Sequence, residues 1–142
     1  MAFSGYLIKL KATGNGTDEI LPMKYMGIES YTATPNQRME SSANRATTGV
    51  LHRTTVEHTA TKIEFETPTM TNLDIAELNA MFRRHFTDIL QRKIVIEYYD
   101  NETDSYKNAT CYMPDVQYKI MRVDKALNIL YYTPVRYAFI EY

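Results

Sequence analysis

The amino-acid sequence predicts a β-rich α+β fold in a single domain, residues 1–142, with one helix. Its 142 residues match the length of one ordinary domain, and 44% apolar with 23% charged residues is typical of a globular chain. Twelve tyrosines and seventeen threonines favour sheet, because both residue types suit half-buried strands. Apolar residues have a helical spacing in one segment, whereas several other segments alternate apolar and polar residues. We therefore expect a β-sandwich or barrel with one helix packed across it.

The helix is predicted over residues 72–91. Thr71 followed by Asp74 resembles a capping box, in which each side chain satisfies a backbone N–H at the helix start. Apolar residues then recur every three or four positions, at Ile75, Leu78, Phe82, Phe86 and Ile89. This stripe is expected to pack on the sheet. Basic residues from Arg83 onward are expected on a solvated face, with His85 exposed among them.

Strands are predicted on both sides of the helix, where apolar and polar residues alternate. In the strand before the helix, Ile63 and Phe65 alternate with charged residues, so both are expected in the core with Ile94 and Ile96. The predicted strands are 3–11, 23–32, 50–67, 94–99, 106–113, 116–123, 126–133 and 135–142.

Residues 34–61 are predicted to leave the body of the domain as an extended polar loop or hairpin and return. Residues 33–49 carry almost no large apolar side chain, and residues 51–61 are rich in threonine. Such a segment buries little surface of its own and orders against a neighbour. The alternative is a solvated, mobile loop without a partner. The expected subunit-interface residues are Asn36, Arg38, Asn44, Arg45, Arg53 and Glu57.

The arginines of this loop are its expected anchors, because a guanidinium binds a carboxylate through two parallel hydrogen bonds. The receiving surface of a neighbouring subunit must then supply carboxylates. One candidate is the acidic turn that contains Asp100, Glu102 and Asp104. The other candidates are Glu57, Glu64 and Glu66.

Patterns of catalytic and metal-binding residues do not occur in the sequence, so we expect neither an enzyme nor a cofactor. It has no Gly-X-Ser-X-Gly elbow, no His-Glu-X-X-His pair and no glycine-rich phosphate loop. The single cysteine, Cys111, excludes an internal disulfide and a thiolate cluster. His52 and His58 lie on one face of a predicted strand, but six extended residues separate them by about 20 Å. No metal site is therefore expected.

The charge balance also restricts the classes of molecule that the chain is expected to bind. Sixteen basic and seventeen acidic residues give a net charge of −1, which argues against a sequence-specific duplex-DNA binder. No segment has the apolar length of a membrane span or signal peptide, so we expect synthesis in the cytoplasm and no membrane partner.

The alternative function is a β-barrel module that binds single-stranded nucleic acid by stacking bases on aromatic side chains. The tyrosines available for such a platform are Tyr98, Tyr99, Tyr106, Tyr112 and Tyr118. The neighbouring acidic turn would repel phosphates. We therefore favour tyrosines that pack between strands or against a partner subunit.

The segment from Tyr31 to Arg53, which includes Asn44-Arg45-Ala46-Thr47-Thr48-Gly49, resembles small tail proteins of tailed bacteriophages and prophages of Gram-positive bacteria. The order of the predicted elements is also similar: a short N-terminal strand, an Asn-Arg-X-X-X-Gly loop, a polar strand, a helix and a tyrosine-rich run of strands. The resemblance extends over most of the chain.

This resemblance implies a tail-tube-like fold and a non-enzymatic structural role. Tail proteins of this kind assemble with copies of themselves into rings, commonly hexameric, that form the tail tube or a distal-tail or baseplate ring. The implied partners are therefore the chain itself and other phage tail proteins. The implied location is the tail of the virion, after synthesis in the cytoplasm of the bacterial host. Distal-tail proteins have a large C-terminal domain that this sequence does not match, so the resemblance does not specify a position along the tail.

Overall fold

The structure is a computed structural model, which describes residues 3–14 and 16–142. These residues contain one α-helix, α1 (Asn72–His85), and short 3-10 helices at Met23–Tyr25 and Ile28–Ser30. The strands are β1 (Ile8–Leu10), β2 (Glu19–Ile20), β3 (Thr32–Gln37), β4 (Glu40–Arg45), β5 (Leu51–Thr55), β6 (Ala60–Glu66), β7 (Met70–Thr71), β8 (Phe86–Asp88), β9 (Lys93–Asp100), β10 (Ser105–Tyr112), β11 (Ile120–Asp124), β12 (Ile129–Tyr132) and β13 (Arg136–Glu141).

The strands form three antiparallel sheets. The long sheet has the order β2-β1-β9-β10-β13-β6-β3, and β8 adds to β9. A small sheet has the order β11-β12-β7, and β4 pairs with β5 as a two-stranded sheet. The β-rich α+β prediction is therefore confirmed.

Strand direction decides which connections share an end of the long sheet. Because each neighbour is antiparallel, β9, β13 and β3 run one way, and β1, β10 and β6 run the other way. The β9–β10 turn and the segment between β3 and β6 therefore emerge at the same end, which we call the upper end. The segments that lead from β6 to β7 and from β10 to β11 leave at the opposite, lower end.

The start of α1 follows the predicted capping box. The Asp74 N–H donates to Thr71 Oγ1 at 3.3 Å, and the Thr71 N–H donates to Asp74 Oδ2 at 3.4 Å. The predicted end at residue 91 is wrong, because the backbone becomes extended at Phe86 and residues 86–88 pair with β9 as β8. Ile89 was expected in the core, but its side chain is 72% exposed in the turn after β8.

The core lies between α1 and the inner face of the long sheet. Phe82 packs against Tyr137 and Phe139 of β13, with ring centroids 5.3 and 5.9 Å apart. Phe86 is half-buried against this core. The other predicted core residues are confirmed as buried: Ile63, Phe65, Ile75, Leu78, Phe82, Ile94 and Ile96.

Residues 23–32 were predicted as a strand, but most of this segment forms the two 3-10 helices. The reason is a close approach to the end of β6. The Gly27 N–H donates to the Glu66 carbonyl oxygen at 2.7 Å, and a Cβ at Gly27 would lie 2.8 Å from that oxygen. Gly27 and Ser30 hydrogen-bond to Glu66, the last residue of β6, and pairing along β6 begins with Thr32. Residues 116–119 are likewise not a strand, since β11 begins at Ile120.

Replacing Phe82 with alanine should lower the free energy of unfolding by about 3–5 kcal/mol, because it empties a fully packed ring site. Ile89→Ala is the control, since removal of a largely exposed side chain should change stability by less than about 0.5 kcal/mol. Urea unfolding followed by tyrosine fluorescence measures both. A loss below about 1 kcal/mol in Phe82→Ala would show that the helix does not pack on β13 as described.

Candidate functional site

The strands β4 and β5 project from the body as a hairpin, which we call the ribbon (residues 38–57). Every residue of both strands is exposed, and among the described residues these strands pair with each other alone. The segment predicted as an extended polar loop or hairpin is thus a two-stranded antiparallel hairpin. It presents backbone and side chains to solvent on both faces.

Polar contacts within the ribbon give it a defined shape. Arg53 forms an ion pair with Glu40, and the Ser41 hydroxyl donates to the Thr54 carbonyl oxygen at 3.2 Å. A bulge between Glu40 and Ser42 places Glu40 on the same face as Arg53. Because the pair is exposed, it contributes at most about 1 kcal/mol. Its main effect is to hold the register of the hairpin.

The Asn-Arg-X-X-X-Gly sequence forms the turn of the ribbon. Arg45 Nη1 donates to the Gly49 carbonyl oxygen at 3.0 Å, and the Gly49 N–H donates to the Ala46 carbonyl oxygen at 2.8 Å. Gly49 has φ of 88°, a conformation that favours glycine. The residues that carry the family resemblance therefore have a conformational role at the tip of the ribbon.

The base of the ribbon is fixed to the body through Thr61, which is 2% exposed. Its hydroxyl accepts a hydrogen bond from the Asn36 N–H and shares another with the Tyr98 hydroxyl, both at 3.1 Å. The Thr61 N–H donates to Glu141 Oε1 at 2.8 Å. His58, in the segment between β5 and β6, has its Nε2 2.8 Å from the Tyr142 carbonyl oxygen. The ribbon is thus anchored at its base and free along its length.

The other predicted interface residues are also exposed along the ribbon. Asn44 lies opposite His52 in the β4–β5 register, and Glu57 follows β5. Arg38 makes no hydrogen bond or ion pair within the described part of the chain. Of the three predicted arginine anchors, Arg38 is therefore the one whose guanidinium is uncommitted. Arg45 and Arg53 already bind groups of the ribbon itself.

The acidic turn connects β9 and β10, as predicted, but its first carboxylate faces inward. Asp100 is fully buried; its Oδ2 lies 2.7 Å from Lys107 Nζ, and its Oδ1 accepts from the Glu102 N–H at 2.9 Å. Burial acts to raise the pKa of Asp100, but hydrogen bonds from Lys107, Glu102 and Thr103 together hold it below its usual value. Asp100 therefore stabilises the turn from inside.

The two other acidic residues of this turn are exposed. Asp104 accepts a hydrogen bond from the Tyr99 hydroxyl at 2.6 Å, which raises the pKa of Tyr99. Asp104 also has φ of 49°, so its position is constrained by the turn. The carboxylate that the turn presents most freely is that of Glu102.

The tyrosines proposed as a stacking platform do not share one exposed surface. Tyr98 is buried in the core, whereas Tyr99 lies on the opposite face of β9. Tyr106 stacks on Tyr6 with centroids 4.5 Å apart and donates its hydroxyl proton to the Tyr6 carbonyl oxygen. Tyr112 contacts Tyr142 edge-on. These rings are engaged in local packing.

His85 was expected to be exposed, and this prediction is wrong. Its side chain is buried, with Nδ1 2.7 Å from the Lys11 carbonyl oxygen and Nε2 2.9 Å from Glu19 Oε1. Arg84 donates two hydrogen bonds to the same Glu19 carboxylate, each of 3.0 Å, and this contact with Arg84 lowers the pKa of Glu19. The cluster fastens β1 and β2 to the end of α1. The position seven residues after Leu78 was the signal for a buried side chain.

We also searched for sites of other kinds. No group of three or more His, Cys, Asp or Glu side chains among the described residues could hold a metal ion. Cys111 is buried, which raises the pKa of its thiol to about 12. The described helices include none that is long and apolar enough to cross a membrane. A groove of about 750 Å³ lies between residues 115–119 and 133–136 and is lined by both acidic and basic side chains.

Replacing Asp100 with asparagine should destabilise the fold by about 1–3 kcal/mol at pH 7, because the charged hydrogen bonds to Lys107 and Thr103 weaken. The pKa of Asp100 is lower in the folded state, so its contribution is present above its unfolded pKa. It is lost as the pH falls through the folded value. The stability difference between parent and variant should therefore hold above about pH 5 and shrink below about pH 4. Urea unfolding across this range measures it.

Asp104→Asn is the matched control, since it removes the same charge from an exposed position of the same turn. We expect it to change stability by less than about 0.5 kcal/mol. A difference between Asp100→Asn and the parent that stays constant down to pH 3 would contradict the assigned ion pair.

Comparison with known proteins identifies a family but no function. No curated protein and no solved structure matches the chain significantly. One family model, described as a family of unknown function, DUF6711, matches residues 1–142. Because this match spans the full length of the sequence, the chain belongs to the DUF6711 family.

Proposed function

We propose that this chain is a non-enzymatic structural subunit of a bacteriophage tail, which assembles with further copies of itself into rings of the tail tube or distal tail. The ribbon is the observation that carries the proposal. All residues of its strands are exposed, although its base is fixed to the body by a buried hydrogen-bond network. A fixed base with an uncovered, preformed hairpin is the arrangement expected of an element that binds a neighbour.

The composition of the ribbon supports a protein partner. A two-stranded hairpin is at best marginally stable alone in water, so contact with a further surface stabilises it. Met39 and Val56 at its base, and Val50 and Leu51 at its tip, expose between 38% and 56% of their surface. Apolar side chains at both ends, with polar residues between them, are suited to an interface with an apolar centre and a polar rim.

The size of the ribbon agrees with this assignment. A standard protein–protein interface uses about 20–30 residues from each partner. The ribbon supplies a stretch of that length from residues 38–57. No other described segment of comparable length is exposed so continuously.

The phage-tail part of the proposal rests on the sequence resemblance together with the fold. The described residues form a β-rich body, one α-helix and a long hairpin, and the resemblance implies the same three features. Rings, commonly hexameric in the tail proteins that the chain resembles, would place the chain in the virion with other tail proteins as neighbours. The arginine with an uncommitted guanidinium, Arg38, and the exposed Glu57 then lie at subunit contacts.

Replacing residues 39–56 with a short Gly-Ser linker should abolish assembly and preserve the fold. Asn36, Thr61 and the core remain, so the variant should keep a cooperative thermal transition. Light scattering and negative-stain microscopy should show rings or tubes for the parent and a monomer for the variant. Leu90→Ala, which removes a side chain that is 94% exposed in another turn, is the control and should assemble like the parent.

Two results would contradict the proposal. A parent protein that stays monomeric at high concentration would exclude a self-assembling subunit. A linker variant that assembles like the parent would show that the ribbon is a solvated loop without a partner.

A further inference from the structure

The small sheet ends in β11, an edge strand with exposed apolar side chains. Ile120, Met121 and Val123 expose 52%, 51% and 55% of their surface. On its other side β11 pairs with β12, so one row of its backbone N–H and C=O groups has no strand of the described residues beside it. Soluble proteins normally protect such edges with charges, prolines or a cover, because an exposed apolar edge pairs readily with another chain.

A bulge puts two of these side chains on one face. The register pairs Ile120 with Tyr132 and Val123 with Leu130, and the extra residue, Met121, lies between them. This face is the one on which Tyr132 packs against the core of the domain. Ile120 and Val123 are nevertheless about half exposed, so they form an uncovered apolar shelf, and Met121 at the bulge is equally exposed. We call Ile120, Met121 and Val123 the β11 shelf.

The ribbon and the β11 shelf belong to opposite ends of the long sheet. The ribbon emerges at the upper end, between β3 and β6, whereas the small sheet is joined to the body at the lower end. A contact between the two surfaces therefore links different copies head to tail. Each copy then donates one ribbon and receives one, which is the geometry of a ring or a filament.

We propose that β11 is the receiving edge for the ribbon of a second copy, which adds its strands to the small sheet. This inference rests on the proposed function and names the surface that the ribbon contacts. The β5 strand of the ribbon and β11 each have five residues, so their free edges can pair along their full length. The pairing produces one five-stranded sheet, in which the ribbon gains the further strands that a hairpin lacks.

Interface area favours the ribbon over a smaller occupant. The β11 shelf consists of three half-exposed residues, far fewer than the roughly 20–30 residues that each partner contributes to a standard interface. The ribbon supplies the remaining contacts because it is long enough to extend past the shelf. Symmetric pairing of β11 with β11 of a second copy is disfavoured. Centred on the strand, it would set two Arg122 side chains opposite one another, neither with an acidic partner among the described residues, and like charges directly opposite destabilise a sheet. Antiparallel pairing of β5 with β11, centred on both strands, sets Thr54 opposite Met121 and Arg53 opposite Arg122, but there the ion pair with Glu40 offsets the charge of Arg53.

A complementation experiment separates donor and receiver. The donor chain carries Val123→Lys, which puts a charge on its shelf and blocks receiving, together with Thr54→Cys on its ribbon. The receiver chain has residues 39–56 replaced by a Gly-Ser linker and carries Met121→Cys. We expect each to be monomeric alone and the mixture, oxidised with glutathione disulfide, to yield a disulfide-linked one-to-one heterodimer. Cys111 should not form a disulfide in this assay, because it is buried and the pKa of its thiol is raised to about 12.

Two controls keep the readout specific. A second receiver carries Glu102→Cys on the acidic turn instead of Met121→Cys, and it should not cross-link. In the otherwise unmodified chain, Leu90→Lys adds the same charge as Val123→Lys at another exposed position and should still assemble. Circular dichroism melts establish that all variants are folded before mixing.

The outcomes distinguish the inference from the proposed function. Cross-linking through position 121 and not 102 supports the inference. Three results would overturn the inference and leave the proposed function standing. They are cross-linking through position 102 alone, no cross-linking at either position while the parent assembles, and assembly of Val123→Lys like the parent. A parent that remains monomeric would overturn both.

Discussion

The contact of Phe82 with Tyr137 and Phe139 joins α1 to the centre of the long sheet, and the remaining architecture depends on it. This contact covers one face of the sheet, so Ile63, Phe65, Ile94 and Ile96 become a shared core. The Tyr137 hydroxyl donates to Asn79 Oδ1 at 2.9 Å, which fixes the rotation of the helix on β13. Once the helix occupies the inner face, both ends of the sheet are free to carry the ribbon and the small sheet.

Local sequence signals identified much of this fold, and contacts between distant segments account for the errors. The capping box at Thr71 and the apolar spacing up to Phe82 predicted the start and the buried face of α1, because both depend on neighbouring residues. The end of the helix depends instead on Phe86 pairing with β9. In the same way, the 3-10 helices depend on Gly27 approaching the Glu66 carbonyl oxygen, which lies 39 residues further along the chain.

In the candidate site, too, local composition was informative and distant contacts were not. The composition predicted an extended polar segment that leaves the body, since residues 34–61 contain few core-forming side chains. The partners of its arginines could not be predicted from the sequence. They depend on the β4–β5 register, and a bulge between Glu40 and Ser42 changes which face Glu40 occupies. Asp100 was interpreted as an exposed carboxylate because the sequence around it is acidic, whereas its hydrogen bonds with Lys107 and the turn backbone require it to face inward.

The internal bonds of the ribbon also bear on how it would bind. A disordered loop of this length would lose much conformational entropy when it docks, at about 1–2 kcal/mol for each ordered residue. Here the Arg45 contact with Gly49 and the Thr61 network already fix the turn and the base, so less ordering remains for the encounter with a partner. If β11 receives the ribbon as proposed, the two contact surfaces lie at opposite ends of the sheet and give the chain a direction. Assembly through two such different surfaces would continue until the rotation between copies closes a ring.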